Sequence, residues 1–177
     1  MKLQKLRNNS ILIKEKPFFD SRGFFSRLFC VNQLKKFNIN FKIKNINHSK
    51  SFKKYTFRGF HYQVGRFAED KIIFCTKGSV HLVSINLDIN SKFKFKTSSV
   101  KLSENVNHSL FVPKSFATGF LTLENGTEIF YLTNNFHSAK HEKGIRWNDK
   151  FFSVKLPAKP ILMSNRDKSF ENFIFQK

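Results

Sequence analysis

The sequence predicts an all-β protein, an antiparallel sandwich or barrel of short strands, and three observations carry that expectation. Short runs rich in Val, Ile, Phe and Thr recur roughly every ten residues, the spacing of strands in such folds. The gaps between them are turn-forming: Lys77-Gly78, Asp88 to Ser91, Ser103 to Asn107, Pro113 to Ser115 and Glu124 to Gly126. Segments with a helical period are few and short. A jelly roll is the eight-stranded version of this layout.

The elements follow in order. Val31 to Phe37 (VNQLKKF) has the length for about two helical turns. FRGFHYQ from Phe57 reads as a strand whose alternation puts Arg58 and Phe60 on one face, and Phe57, Gly59, His61 and Gln63 on the other. Gly59 would leave an opening clear beside His61. KIIFCT from Lys71 is the next strand. In SVHLVSINL (Ser79 to Leu87) both faces carry apolar residues, as in a strand packed on both sides. KFKFKTSSVKL (Lys92 to Leu102), SLFVP ending at Pro113, GFLTL and TEIFYLT complete the set, and Ser164 to Lys177 could add a final turn or two of helix.

At 177 residues with 40% apolar content, one domain spanning 1–177 can bury a core that needs neither disulfides nor a structural metal. Cys30 and Cys75 sit in apolar runs without zinc or redox spacing, so both are expected as reduced thiols. No apolar run reaches the roughly 18 residues of a membrane span, and MKLQKLRNNSILIKEK lacks the apolar block of a secretory signal. A soluble cytoplasmic protein with no membrane association is expected. Lys+Arg 32 against Asp+Glu 12 gives a net +20, which attracts polyanions. The lysines are dispersed from Lys2 to Lys177, however, and form no compact footprint, which argues against nucleic acid as the partner.

Four stretches hold polar groups that packing does not explain: DSRGFFSR (Asp20 to Arg27), NHS (Asn47 to Ser49), FRGFHYQ and GIRWND (Gly144 to Asp149). His61 is the best candidate base among them. A histidine between aromatics is more often satisfied by one core hydrogen bond, so spacing alone leaves both readings open.

The order of DSRGFF, NHS, FRGFHYQ, Lys71, VPKSFATGF, EIFYLTN, GIRWND and PILMSNRD along the chain, from about Leu12 to Asp167, resembles the dTDP-4-dehydrorhamnose 3,5-epimerase family. The resemblance implies a cupin-like jelly roll, a homodimer, a dTDP-sugar substrate with a ketone at C4, inversion at C3 and C5, and no metal or other cofactor. It implies His61 as base, Asp167 as the carboxylate orienting it, Lys71 as the charge near the enolate oxygen and Tyr131 as the acid on the opposite face. This matches the chemistry, because a proton next to a carbonyl is removable only when the resulting oxyanion is stabilised. Arg22 and Arg58 match pyrophosphate-binding arginines, with Phe24 and Phe25 resembling a lip lent by the partner subunit. Asn47 matches a polar contact. Asn45, Glu142 and Arg166 keep polarity or charge, and His137 stands where the family faces thymine with an aromatic ring.

The chain also departs from the family pattern. SFATGF places Thr118 where a histidine is usual, and VHLVSIN places Leu82 and Asn86 at two acidic positions expected near the pocket. These changes could narrow the reaction to C3, convert it to ketone migration between C3 and C4, or shift the substrate to another 4-keto nucleotide sugar such as a GDP or CDP heptose. The +20 charge motivates a different class, a non-enzymatic polyanion binder. A metal cupin is disfavoured, since FRGFHYQ offers one histidine and Thr118 removes another candidate ligand.

Overall fold

The computed structural model describes residues 1–175. The strands run, in chain order, β1 (Lys2–Lys5), β2 (Ile11–Lys14), β3 (Phe18–Asp20), β4 (Gly23–Phe25), β5 (Asn45–Ser51), β6 (Phe57–Gln63) and β7 (Lys71–Lys77). They continue with β8 (Ser79–Asn86), β9 (Thr97–Ser103), β10 (His108–Val112), β11 (Phe116–Thr122), β12 (Thr127–Thr133) and β13 (Glu142–Gly144). Two short helices, α1 (Val31–Lys35) and α2 (Asn165–Ser169), complete the described elements with a 3-10 turn at Gly65–Phe67.

Two antiparallel sheets face each other as a cupin-like jelly roll. One has the order β1-β2-β10-β7-β12-β5, the other β13-β6-β11-β8-β9, and β3 with β4 forms a separate hairpin. Between the sheets lie Ile73, Cys75, Val80, Leu82, Leu102, Leu110 and Ile129. Ile72, Phe74 and Phe111 point outward from the first sheet and are covered by Leu34, Ile39 and Phe41, while Val83, Ile85 and Leu121 of the second are covered by Ile145 and Phe152. This is why β7 and β8 are apolar on both faces. Each fully buried Leu, Ile or Phe contributes about 1.5–3 kcal/mol, so roofing the outer faces adds as much driving force as the layer between the sheets. Cys75 is buried, Cys30 half-buried, and both are free thiols; burial pushes the Cys75 thiol up to about 12.

Two sequence expectations are corrected. The strand from Lys92 starts only at Thr97, because Ser91 to Lys96 close successive turns (Lys94 N–H to Ser91 O, 3.0 Å; Lys96 N–H to Phe93 O, 3.1 Å). That turn, with Phe95 at φ +62°, sends the Phe95 ring into an aromatic group with Phe151, Phe152 and Phe173. The short helix expected after Ser164 forms at Asn165–Ser169, and Gln176 and Lys177 lie outside the described residues.

The second correction shapes the site. Strand alternation on β6 breaks, because Thr118 pairs with His61 while Phe120, two residues on, pairs with Arg58, three residues back. The extra residue is a bulge. Arg58 and His61 therefore share the cavity side, while Phe57 and Phe60 both pack beneath the sheet. Gly59 sits at φ +129°, and a Cβ there would stand 2.5 Å from Gly119 Cα and 2.8 Å from Thr118 O. Its glycine permits close approach of two backbones rather than an opening beside His61.

Candidate active site

One cavity of about 660 Å³ lies between the sheets, lined by β5, β6, β7, β12 and α2 among others. His61, Asp167, Lys71 and Tyr131 all line it, together with Asn45, Asn47, Arg58, Thr118, His137, Glu142 and Arg166.

His61 Nε2 lies 2.9 Å from Asp167 Oδ1, and Gly59 N–H donates to Asp167 Oδ2 at 3.0 Å. The carboxylate is fixed in turn at the start of α2, where Asp167 N–H donates to Ser164 Oγ at 3.0 Å. Burial pushes the Asp167 carboxyl up, but the hydrogen bonds from His61 and Gly59 outweigh it and hold the group below the ordinary carboxylate range. An ionised carboxylate only accepts, so Nε2 carries the proton and Nδ1 keeps its lone pair. Phe170 meets the imidazole edge-on at 5.6 Å between centroids. It is seated over Gly144, the cross-strand partner of His61, where a Cβ would fall inside the phenyl ring.

Lys71 opens β7 with Nζ 3.4 Å from the Glu69 carboxylate, both side chains nearly buried. Tyr131 projects from β12 into the same space. Burial, with the negative charges of Glu69 and Glu142, pushes its phenol up, opposed by Arg58. It remains a neutral donor through the physiological range.

Arg58 donates through Nε to Ser51 Oγ and through Nη2 to Lys50 O, each at 3.2 Å, leaving further guanidinium donors for an anion. Asn45 is held by Thr133 Oγ1 and Asn135 O (2.9 and 2.8 Å). At the rim, Glu142 Oε2 accepts from Arg166 at 2.7 Å and meets His137 Nε2 at 3.0 Å. Burial pushes the Glu142 carboxyl up, and its His137 and Arg166 partners draw it below the usual value.

Charged residues on the cavity wall balance, Arg58, Lys71 and Arg166 against Glu69, Glu142 and Asp167, so the excess positive charge of the chain lies elsewhere.

Two expected positions fall outside the cavity. Asn86 is buried in a polar network, donating to Asn8 O and Ser91 Oγ and accepting from Asp88 N–H, so of the two departures only Leu82 lines the wall. Arg22 lies on the exposed β3–β4 hairpin, its side chain 88% exposed and paired with Asp20 at 2.7 Å, away from the cavity of its own chain.

Sequence reasoning passed over Glu69, Phe170 and Ser164. The S-x-x-D pattern at Ser164 to Asp167 is a helix-start signature that could have revealed the anchoring of the carboxylate. A carboxylate two residues before Lys71 was the signal for Glu69.

Fold and cavity together define a cupin-like jelly roll whose inter-sheet cavity holds a histidine–carboxylate pair beside a lysine and a tyrosine. The chain belongs to the dTDP-4-dehydrorhamnose 3,5-epimerase family, whose model matches residues 6–174. It is 36% identical to the enzyme of that name from Shigella flexneri over 93% of this chain and 91% of the relative. It is 33% identical to the one from Sinorhizobium fredii, covering 89% and 82% of the two chains. Among solved structures, the Bacillus anthracis dTDP-4-dehydrorhamnose 3,5-epimerase with TDP and PPi bound superposes with a TM-score of 0.94 at 28% identity, over 97% of this chain and 99% of that one. Among the described residues, no helix is long and apolar enough to cross a membrane.

Proposed function

We propose that this chain inverts C3 and C5 of dTDP-4-dehydro-6-deoxy-D-glucose to give dTDP-4-dehydro-L-rhamnose by proton transfer. The observation that carries this is the histidine–carboxylate pair sharing one cavity with Lys71 and Tyr131. His61 Nδ1 takes the proton next to the C4 ketone, and the electron pair moves onto O4. Lys71 stabilises that oxyanion, and Asp167 stabilises the imidazolium that forms. Tyr131 returns a proton to the opposite face at C5 and is reprotonated from solvent, at C3 the returning proton comes from water, and the imidazolium releases its proton after each abstraction, so charge and protons balance over the cycle. General acid–base catalysis of this kind supplies roughly 10²–10⁴ in rate.

Arg58 is assigned to the pyrophosphate, which a guanidinium fork fits bidentately, with Asn45 and Asn47 as polar contacts and His137, Glu142 and Arg166 at the nucleotide end. Arg22 is assigned to the cavity of a second copy in a homodimer. Support comes from the hairpin that carries it, whose Phe18, Phe19, Phe24 and Phe25 are all exposed and form an apolar surface that a second chain could cover. The test is incubation with the sugar nucleotide in deuterated buffer: deuterium is expected at both C3 and C5, and folded protein that incorporates none refutes the proposal. Product identification by NMR separates the C3-only and ketone-migration variants that Thr118 and Leu82 motivate.

A further inference from the structure

Glu69 follows the turn Gly65–Phe67 in the link between β6 and β7 and lines the cavity. Its side chain keeps 10% of its exposure and that of Lys71, its 3.4 Å partner, 12%. A carboxylate this enclosed is tolerated only with a compensating charge. The backbone of the link is pinned on both sides of it. Gln63 Nε2 donates to Phe67 O at 3.1 Å, and Asn135 Nδ2 to Arg66 O and Ala68 O at 2.8 and 3.2 Å. Asp70 N–H donates to Asn134 Oδ1 at 2.8 Å, and the Asp70 carboxylate accepts from Lys114 N–H and Asn134 Nδ2, each at 2.7 Å. So tethered, the link holds Glu69 in fixed relation to β7.

The charged and titratable groups around Glu69 are Lys71 on β7, Tyr131 on β12 and His137 beyond β12, with Gln63 of β6 as a polar neighbour; Tyr131 is faced in turn by Glu142 of β13 and Arg58 of β6. A lysine ammonium on a four-carbon stem otherwise samples many positions, and a fixed carboxylate selects one. We propose that Glu69 is a positioning residue, its carboxylate holding the Lys71 ammonium in one place on the cavity wall. The part that ammonium plays at the oxyanion rests on the function proposed above; the hold on the lysine does not. The electrostatics agree in sign, since burial pushes the Glu69 carboxyl up against the pull of Lys71.

Glu69→Gln in the full chain keeps the side-chain size and removes the charge. The hold on the ammonium is read without activity, as the rate at which acetic anhydride labels Lys71, followed by peptide mass spectrometry; it is expected to rise severalfold in Glu69→Gln. The kcat for exchange at C3 and C5 is expected to fall about tenfold with KM nearly constant, as for loss of one charge-assisted contact, and Glu69→Asp is expected to restore part of it. An unmoved labelling rate, or a raised KM with kcat intact, overturns the proposal. If the labelling rate rises while the parent chain exchanges neither carbon, the proposed function fails and the hold of Glu69 on Lys71 stands. Should Glu69→Gln not fold, Glu69→Ala gives the same two readouts, and their absence overturns the proposal.

Discussion

Strands β6 and β12 are each seven residues long and each sends one side chain of the proposed acid–base pair into the cavity, yet they do so by different means. β12 runs in unbroken register against β5 from Thr127 to Thr133, so Tyr131 reaches the cavity by plain alternation. β6 reaches it through a bulge that puts Arg58 and His61 on one face at the expense of ladder pairing. A regular strand delivers one functional group per two residues of one face. The bulged strand delivers the proposed base and Arg58 three residues apart, together with a backbone N–H that donates to the Asp167 carboxylate. Tyr131, by contrast, lies in a stretch from Ile129 to Thr133 that pairs regularly with both neighbouring strands, beyond a register shift against β7 at Glu128.

Substitution of the bulge glycine should therefore damage fold and activity together, whereas substitution of the His61 or Tyr131 side chain should touch activity alone. The largest effect is expected from Gly59→Ala. The new methyl meets the Gly119 backbone at a strained φ, costing about 2–4 kcal/mol in denaturant unfolding, and proton exchange is lost with the displaced His61 and Asp167. A stable, active Gly59→Ala would show that the bulge is incidental. Next, His61→Ala is expected to remove exchange at both C3 and C5, a loss of about 10²–10⁴ in rate with little change in unfolding free energy. Tyr131→Phe should lower exchange at C5 more than at C3 and leave thermal stability nearly unchanged; equal loss at the two carbons contradicts its assignment as the C5 acid.

The smallest effect is on pH dependence. Because the Asp167 carboxyl is lowered on folding, its stabilisation is fully present above the ordinary carboxylate value of about 3.9 and fades as pH falls through its lower folded value. The Tm difference between the parent and Asp167→Asn is expected to be constant near neutrality and to shrink in acid. A difference that widens in acid reverses the sign assigned to this group.

The same contrast explains what could be read from the sequence. β7, β8 and β12 were legible because their runs of β-branched and other apolar residues are bounded by turn-forming residues. The faces of β6 were not, since a bulge shifts parity without leaving a compositional mark beyond a glycine. The run KFKFK imitates a strand because its period is two, but its second phenylalanine is claimed by aromatics from residues 151 to 173 that no local pattern reveals. His61, Asp167, Lys71 and Tyr131 were found by resemblance, and only three-dimensional packing brings them to one cavity. Glu69 was missed although it stands two residues before Lys71, because no motif marks a carboxylate in a turn-bearing link.

The seating of Phe170 on Gly144 has a consequence for how the molecule comes into being. Every strand of both sheets is complete by Gly144, whereas the carboxylate partner of His61 and the ring that packs on that imidazole arrive more than twenty residues later. A nascent chain can thus zip its sandwich shut while its histidine is still unpaired. Competence for chemistry therefore waits on the docking of residues 164–170 against β6 rather than on closure of the sheets.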